Sequence, residues 1–289
     1  ESLLCRVLFK SVISEHRMSP ISDTELTVLR GCKSFLVDLD GTIYLDSKLL
    51  PGALDFLLQL ERLNIPHLFL TNNSSKSWTD YQERLAGLGI TATREQILTS
   101  GDATIDHVLT HTEHRSAFLM GTEALAKDFR IAGVDIDAAD PDCVVVGFDT
   151  TMDYDKLERA CTLLFAGKPY FATHPDRTCI TQRGLVPDIA AIIAAIEAVT
   201  RREPKIIGKP YPEMVVAALH RLGAEAHSTA IVGDQLDTDM EMAMNSDLRS
   251  VLLMSGETGP EKLAAAPADR RPDVVLPGIG ALAKALERL

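Results

Sequence analysis

Short apolar runs alternate along this chain with stretches of helical periodicity. The runs Phe35–Val37, His67–Leu70, Ile97–Thr99, Ala117–Met120, Cys143–Gly147, Tyr170–Thr173, Lys205–Ile207, Ala230–Val232 and Val251–Met254 are aliphatic or β-branched and too short for helices, so they predict strands. Between many of them, Ala53–Leu63, Trp78–Leu88, Ala103–Leu109, Tyr154–Ala166, Ile189–Thr200, Glu213–Leu222 and Ile279–Leu289 predict helices. Strands separated by helices of this length imply a parallel sheet with helices on both faces. The Ala- and Ile-rich stretch Ile189–Ala198 predicts a buried helix. Thr99-Ser100-Gly101-Asp102 reads as a strand end passing into a helix cap, and Arg201-Arg202-Glu203-Pro204 as a break before the next run. Both are expected as hinges between domains.

Four segments at or beside the ends of these runs carry polar groups suited to chemistry. Phe35–Ile43, FLVDLDGTI, delivers Asp38 and Asp40 to a strand's carboxyl edge, where open α/β sheets bind ligands. Two like charges so close persist only if a cation or a proton shares the site. An acidic Asp-Gly turn with no further role has the same local pattern. Phe69–Ser75, FLTNNSS, offers Thr71, Asn72 and Asn73 as donors ahead of a helix, which suits an anion, or serves as an ordinary cap. In Ile207–Pro212, IGKPYP, Lys209 stands between a glycine and a proline that rules out helix. Held there, its ammonium serves as a point charge for phosphate; otherwise it is a solvated loop lysine. Ala230–Met240, AIVGDQLDTDM, ends another strand in Asp234, with Asp237 and Asp239 close behind. Acids converging here would suit Mg²⁺, though helix capping accounts for them equally well one at a time.

Composition removes several classes. The 289 residues are 46% apolar, enough for one large α/β domain or two smaller ones, and the net charge of −12 argues against nucleic acid. No run is long enough to span a bilayer. Five scattered cysteines without a Cys-x-x-Cys pair suggest free thiols in a reducing cytoplasm and make zinc improbable. His107, His111 and His114 fall at helix spacing and read as a solvated face. The amino end is a poor secretory signal, and Met18-Ser-Pro reads as a natural start, leaving 1–17 outside the fold argument.

Taken together, Asp38-Leu-Asp40-Gly41-Thr42, Thr71, Lys209 and Gly233-Asp234-Gln-Leu-Asp-Thr238-Asp239 resemble the motif set of the haloacid dehalogenase-like superfamily, in its order and without a gap. The resemblance runs from about Gly31 onward. Thr71 follows Asp38 by 33 positions and Lys209 follows Thr71 by 138, so the inserted domain lies between the second and third motifs. That is similar to the class II cap of the nitrophenylphosphatase-like branch, as are TNNSS, GKPYPEM and THPD. The fold class implied is α/β: a doubly wound, Rossmann-like parallel-sheet core over 31–101 and 207–289, an α/β cap over 102–206, and an extension over 1–30.

The resemblance implies a Mg²⁺-dependent phosphatase for a small phosphorylated metabolite, cytoplasmic, with no nucleic acid or membrane partner, and with homodimerisation through cap surfaces known in the branch. It assigns Asp38 as nucleophile in an aspartyl-phosphate mechanism, Asp40 as general acid and base, and Thr71, the Asn72 amide and Lys209 as phosphate ligands. The metal falls to Asp38, the Asp40 backbone carbonyl and Asp234, with Asp239 behind them. An acid at position 40 favours a phosphatase over a carbon–halogen hydrolase or a transport ATPase. In the loop His174–Asp188, His174, Arg177 and Arg183 are candidates for the leaving group, against the default of a polar surface loop. A phosphotransferase or mutase using the same intermediate, and a non-catalytic Mg²⁺-binding module, are the alternatives.

Overall fold

The computed structural model describes residues 21–181 and 184–289. Residues 1–17 and Arg183 fall outside the described residues. In chain order the strands are β1 (Ser34–Asp38), β2 (Tyr44–Leu45), β3 (Lys48–Leu49), β4 (His67–Thr71), β5 (Ile97–Thr99), β6 (Ala117–Met120), β7 (Cys143–Val146), β8 (Tyr170–Ala172), β9 (Thr178–Thr181), β10 (Gly184–Pro187), β11 (Lys205–Ile206), β12 (Thr229–Gly233), β13 (Arg249–Leu253) and β14 (Val274–Leu276). Every predicted run contains a strand. The chain folds as two compact units.

The first unit comprises the described residues up to Leu70, Leu85–Ile97 and Ala218–Leu289. Its framework is a six-stranded parallel sheet ordered β14-β13-β12-β1-β4-β5. Strands β1 and β12 are buried along their whole length, which is why their sequences are apolar without alternation. Phe35 of β1 meets Phe56 of the helix Ala53–Arg62 edge to face at 6.0 Å. The chain runs from β1 outward to β4 on one side and from β12 outward to β13 and β14 on the other, so the winding reverses between β1 and β12. At such a point the connections leave in opposite directions and open a crevice beyond the strands' carboxyl ends. Val37 is paired with Val232, so Asp38 and Gly233 are the next residues along the two strands.

The second unit comprises Thr71–Arg84 and Leu98–Ala217, and contains the whole predicted insert 102–206. Its four-stranded parallel sheet runs β11-β8-β7-β6. The helices Tyr154–Phe165 and Ile189–Thr200 bury Ala160, Cys161, Leu164, Ile189, Ile192 and Ile196 in a cluster with Val144, Val146 and Tyr170. Ile189–Thr200 is less buried than its composition predicts. Ala191, Ala194 and Ala198 are exposed, and the buried face is carried by Ile189, Ile192 and Ile196. Thr99 caps Ser100–His111 as expected, in a reciprocal bond pair with Asp102.

Three other expectations change. The segment 178–187 is a hairpin, not a loop: Thr-Cys-Ile-Thr and Gly-Leu-Val-Pro pair antiparallel, Thr181 opposite Gly184. His107 is buried, stacks on His111 at 5.2 Å and meets the Phe171 ring at 5.8 Å, so it does not belong to a solvated face, whereas His111 is exposed. Burial, aided by the Lys205 charge, lowers the His107 pKa. The strand Val274–Leu276 and the helices Asp23–Arg30 and Glu123–Ile131 were not predicted.

Among the described residues no helix is long and apolar enough to cross a membrane. Cys32, Cys143, Cys161 and Cys179 are free thiols, and burial pushes Cys32 and Cys143 up to about 12, which keeps them unreactive.

Candidate active site

In the first unit, Asp38 is the last residue of β1 and Asp234 the first after β12, so two neighbouring strands present carboxylates at the same edge. The chain then makes a wide π-type turn over Leu236–Met240, with Met240 N–H bonded to the Gln235 carbonyl at 3.1 Å. This turn brings Asp239 back to the group. One carboxylate oxygen each from Asp38, Asp234 and Asp239 lie within 4.8 Å of one another, and all three residues are buried. Asp239, expected behind the metal ligands, has its carboxylate beside those of Asp38 and Asp234. Asp40 differs in kind: it is exposed, and its Oδ2 accepts a long bond from the Tyr44 hydroxyl at 3.4 Å.

Asp234 is held tightly. Its Oδ2 accepts from Glu257 N–H at 2.6 Å, and its carbonyl accepts from Thr258 N–H at 3.1 Å. Ser255 Oγ donates to the Gly41 carbonyl at 3.0 Å, tying the turn after β13 to the turn after β1. The carboxylate fills the space beside two glycines. A Cβ on Gly41, whose φ is +86°, would fall 2.4 Å from Asp234 Oδ2, and one on Gly256 would fall 1.8 Å from it. Three buried carboxylates repel one another unless a cation or protons join them. Their donors are all hard oxygens, and the packing of Asp234 between glycines fixes where one of them sits. This set fits a divalent cation of the Mg²⁺ type.

The remaining predicted residues lie in the second unit. Thr71 ends β4, is buried, and its Oγ1 accepts from Asn73 N–H at 3.2 Å. Lys209 is buried with only 3% of its surface exposed, so it is not a solvated loop lysine. The Asn72 side chain, expected as a donor for an anion, bonds instead to Lys209 and to Asp176.

His174, expected to face the leaving group, has protein partners at both ring nitrogens. It is fully buried. Nδ1 meets Thr173 Oγ1 at 2.9 Å, and Nε2 meets Asp188 Oδ1 at 3.0 Å. Asp188 also caps the helix Ile189–Thr200 through the Ile189 N–H. His174 therefore pins the end of β8 to a helix cap. Arg177 is exposed. Asp176, Asp188 and Gly256 were all missed as site residues. The last had a readable signal, since Ser255-Gly256-Glu257-Thr258 follows a predicted apolar run as the other active segments do.

Comparisons agree with this geometry. Residues 35–135 match the family model described as haloacid dehalogenase-like hydrolase, and residues 206–282 a second, hydrolase-like model of the same group. The chain is 34% identical over 229 residues to the acid sugar phosphatase of Staphylococcus aureus, covering 79% of this chain and 88% of that one. It is 33% identical over 223 residues to the dihydroxyacetone phosphatase of Corynebacterium glutamicum, covering 77% and 81%. The crystal structure of a 4-nitrophenylphosphatase from Thermotoga maritima superposes with a TM-score of 0.86 at 43% identity, covering 90% of this chain and 99% of that one. The chain belongs to the haloacid dehalogenase-like hydrolases, within their nitrophenylphosphatase-type branch of phosphoric monoester hydrolases.

Proposed function

We propose that this phosphatase hydrolyses the monoester of a small phosphorylated metabolite in two steps, through a phosphoryl group carried on Asp38. The observation that supports it most is the meeting of the Asp38 carboxylate with those of Asp234 and Asp239 at the point where the sheet's winding reverses. Asp38 attacks phosphorus, and the bond to the leaving oxygen breaks. Asp40 gives that oxygen a proton, then takes one from the water that attacks the phosphorylated Asp38. Exposure suits this residue, which has to exchange protons with a leaving group and with water. Thr71, the Asn72 backbone amide and Lys209 are assigned to the phosphate oxygens, where fixed donors matter most because charge accumulates there. Asp38, Asp234 and Asp239, with the Asp40 carbonyl, are assigned to Mg²⁺. When bound, the ion would offset the carboxylate charge and draw electron density from the phosphoryl group. The insert 102–206 is proposed as the cap that governs which leaving group is admitted, with Arg177 as its candidate contact. We place the enzyme in the cytoplasm.

A screen of phosphate release from sugar phosphates, nucleotides, phosphoglycolate and pyridoxal phosphate tests this reading. The relatives' names put dihydroxyacetone phosphate and sugar phosphates first. Release should stop with excess chelator and return with Mg²⁺. Turnover that is indifferent to chelator would refute the metal assignment.

Asp40→Asn should leave the fold intact and slow the release of alcohols by about 10²- to 10⁴-fold, the usual worth of a positioned proton donor. Nitrophenolate leaves without a proton. With nitrophenyl phosphate the variant should therefore show a burst at near-normal rate, followed by slow turnover limited by hydrolysis of the phosphorylated enzyme. Equal rates for alkyl and nitrophenyl esters, both unchanged from the parent, would remove Asp40 from the mechanism.

A further inference from the structure

We propose that Asp176 is a positioning residue for Lys209, acting through the side-chain amide of Asn72; this rests on the reading that Lys209 holds phosphate. Asn72 Oδ1 accepts from Lys209 N–H at 2.8 Å, and Asn72 Nδ2 donates to the Lys209 carbonyl at 3.0 Å. One side chain thus takes both backbone polar groups of the lysine. The second hydrogen on Nδ2 goes to Asp176, whose two oxygens lie at 3.1 and 3.3 Å.

A primary amide has two faces, and only one serves here. A carboxylate can only accept, so Asp176 holds the NH₂ end toward itself and leaves Oδ1 facing the Lys209 N–H. With the amide reversed, the bonds to Lys209 and to Asp176 would all be lost together. The surroundings make such a loss expensive, since Asn72 is 6% exposed and Lys209 3%. Gly208 N–H is bonded to the Thr173 carbonyl at 2.7 Å, so the residue before the lysine is anchored as well. Pro210 follows and offers no N–H, which leaves Asn72 to fix the lysine's own peptide groups.

The consequence concerns the ammonium. A lysine ends in a flexible stem, and anchoring its Cα narrows the volume the ammonium sweeps. A donor held in place gives up less freedom when it meets a phosphate oxygen. Charge also links the two residues. Burial, with the Asp188 charge, raises the Asp176 pKa above the ordinary carboxylate value, against the lowering pull of His174, the Asn72 bond and Lys209.

A double-mutant cycle tests the proposal, with kcat/KM for nitrophenyl phosphate, inhibition by inorganic phosphate and melting temperature measured for each protein. Lys209→Ala should lose about 100-fold or more in kcat/KM, the scale for removing a charge-stabilising donor. Asp176→Ala should lose about 10- to 100-fold, as supporting contacts typically do. It should also weaken inhibition by phosphate. Asp176→Asn keeps an oxygen that can accept from Asn72 and should recover most of the loss. In the Lys209→Ala background, Asp176→Ala should cost less than about threefold, because the group it positions is gone. Should the alanine variant fail to fold, Asp176→Ser takes its place in the cycle. A full loss on both backgrounds would mean that Asp176 acts independently, overturning the inference while the lysine reading stands. Unchanged kcat/KM in Asp176→Ala would also overturn it. Wild-type kcat/KM in Lys209→Ala would overturn the lysine reading and the inference with it.

Discussion

Asp38→Asn should end turnover while the protein stays folded. The exchange keeps the shape of the side chain at the end of β1, so neither the strand nor its pairing with β12 and β4 is disturbed. It replaces the oxyanion proposed to attack phosphorus with a neutral amide. Loss of a covalent nucleophile typically costs on the order of 10⁴-fold or more in kcat, with no compensation from the donors that remain. Stability should move the other way. Three buried carboxylates within 4.8 Å repel one another, and removing one charge relieves that repulsion. In chelator, the melting temperature of Asp38→Asn should therefore equal or exceed that of the parent. With Mg²⁺ present the parent gains stability by binding, and the variant, short of one ligand, gains less. Acid-quenched enzyme mixed with labelled substrate should carry phosphate in the parent and none in the variant. An Asp38→Asn protein that turns over at the parental rate would refute the assignment of the nucleophile.

The contrast between stability and activity at position 38 explains why this part of the site was legible in the sequence. A strand buried on both faces has to be apolar, so a carboxylate at its end stands out and has to have a cause. Asp38 and Asp234 were readable on that ground, and the parallel sheet needed only helices of crossover length between its strands. Asp239 was harder. Its place beside Asp38 and Asp234 depends on a π-type turn over Leu236–Met240, and Asp-Thr-Asp has the same look in an ordinary first helical turn. His174 misled because a histidine among Pro, Asp and Arg looks like surface. Its burial is stabilised by Asp188, 14 residues further on, a pairing that no local pattern announces. Asn72 was read as a donor for an anion, and the bonds its side chain makes could not be foreseen, since they go to residues more than a hundred positions away. What local rules missed at His174 and Asn72 is a polar group satisfied by a partner outside its own segment.

Gly256→Ala is the substitution that should do the most damage outside the family's motifs. The alanine Cβ would lie 1.8 Å from Asp234 Oδ2, 2.5 Å from its Cγ and 2.7 Å from its Cβ, so no small rotation of the carboxylate clears it. Asp234 cannot give way cheaply. It is 3% exposed, and Oδ2 is bonded to Glu257 N–H at 2.6 Å, the residue next to the one being changed. Either the carboxylate swings out, breaking that bond, or the turn after β13 retreats and draws away the Ser255 bond to Gly41. Both routes move a proposed metal ligand by far more than the ~0.5 Å that a working site tolerates. The Mg²⁺ concentration needed for half-maximal activity should rise by on the order of 100-fold, and direct calorimetric titration with Mg²⁺ should weaken to match. The fold should survive, because β12 and β13 keep their pairing and the change lies beyond their ends. Unlike Asp38→Asn, this variant keeps its nucleophile, so saturating Mg²⁺ should return part of its activity. Parental Mg²⁺ affinity by calorimetry in a folded Gly256→Ala protein would show that Asp234 is not held against this turn when the ion binds, and the clamp described here would have to be abandoned.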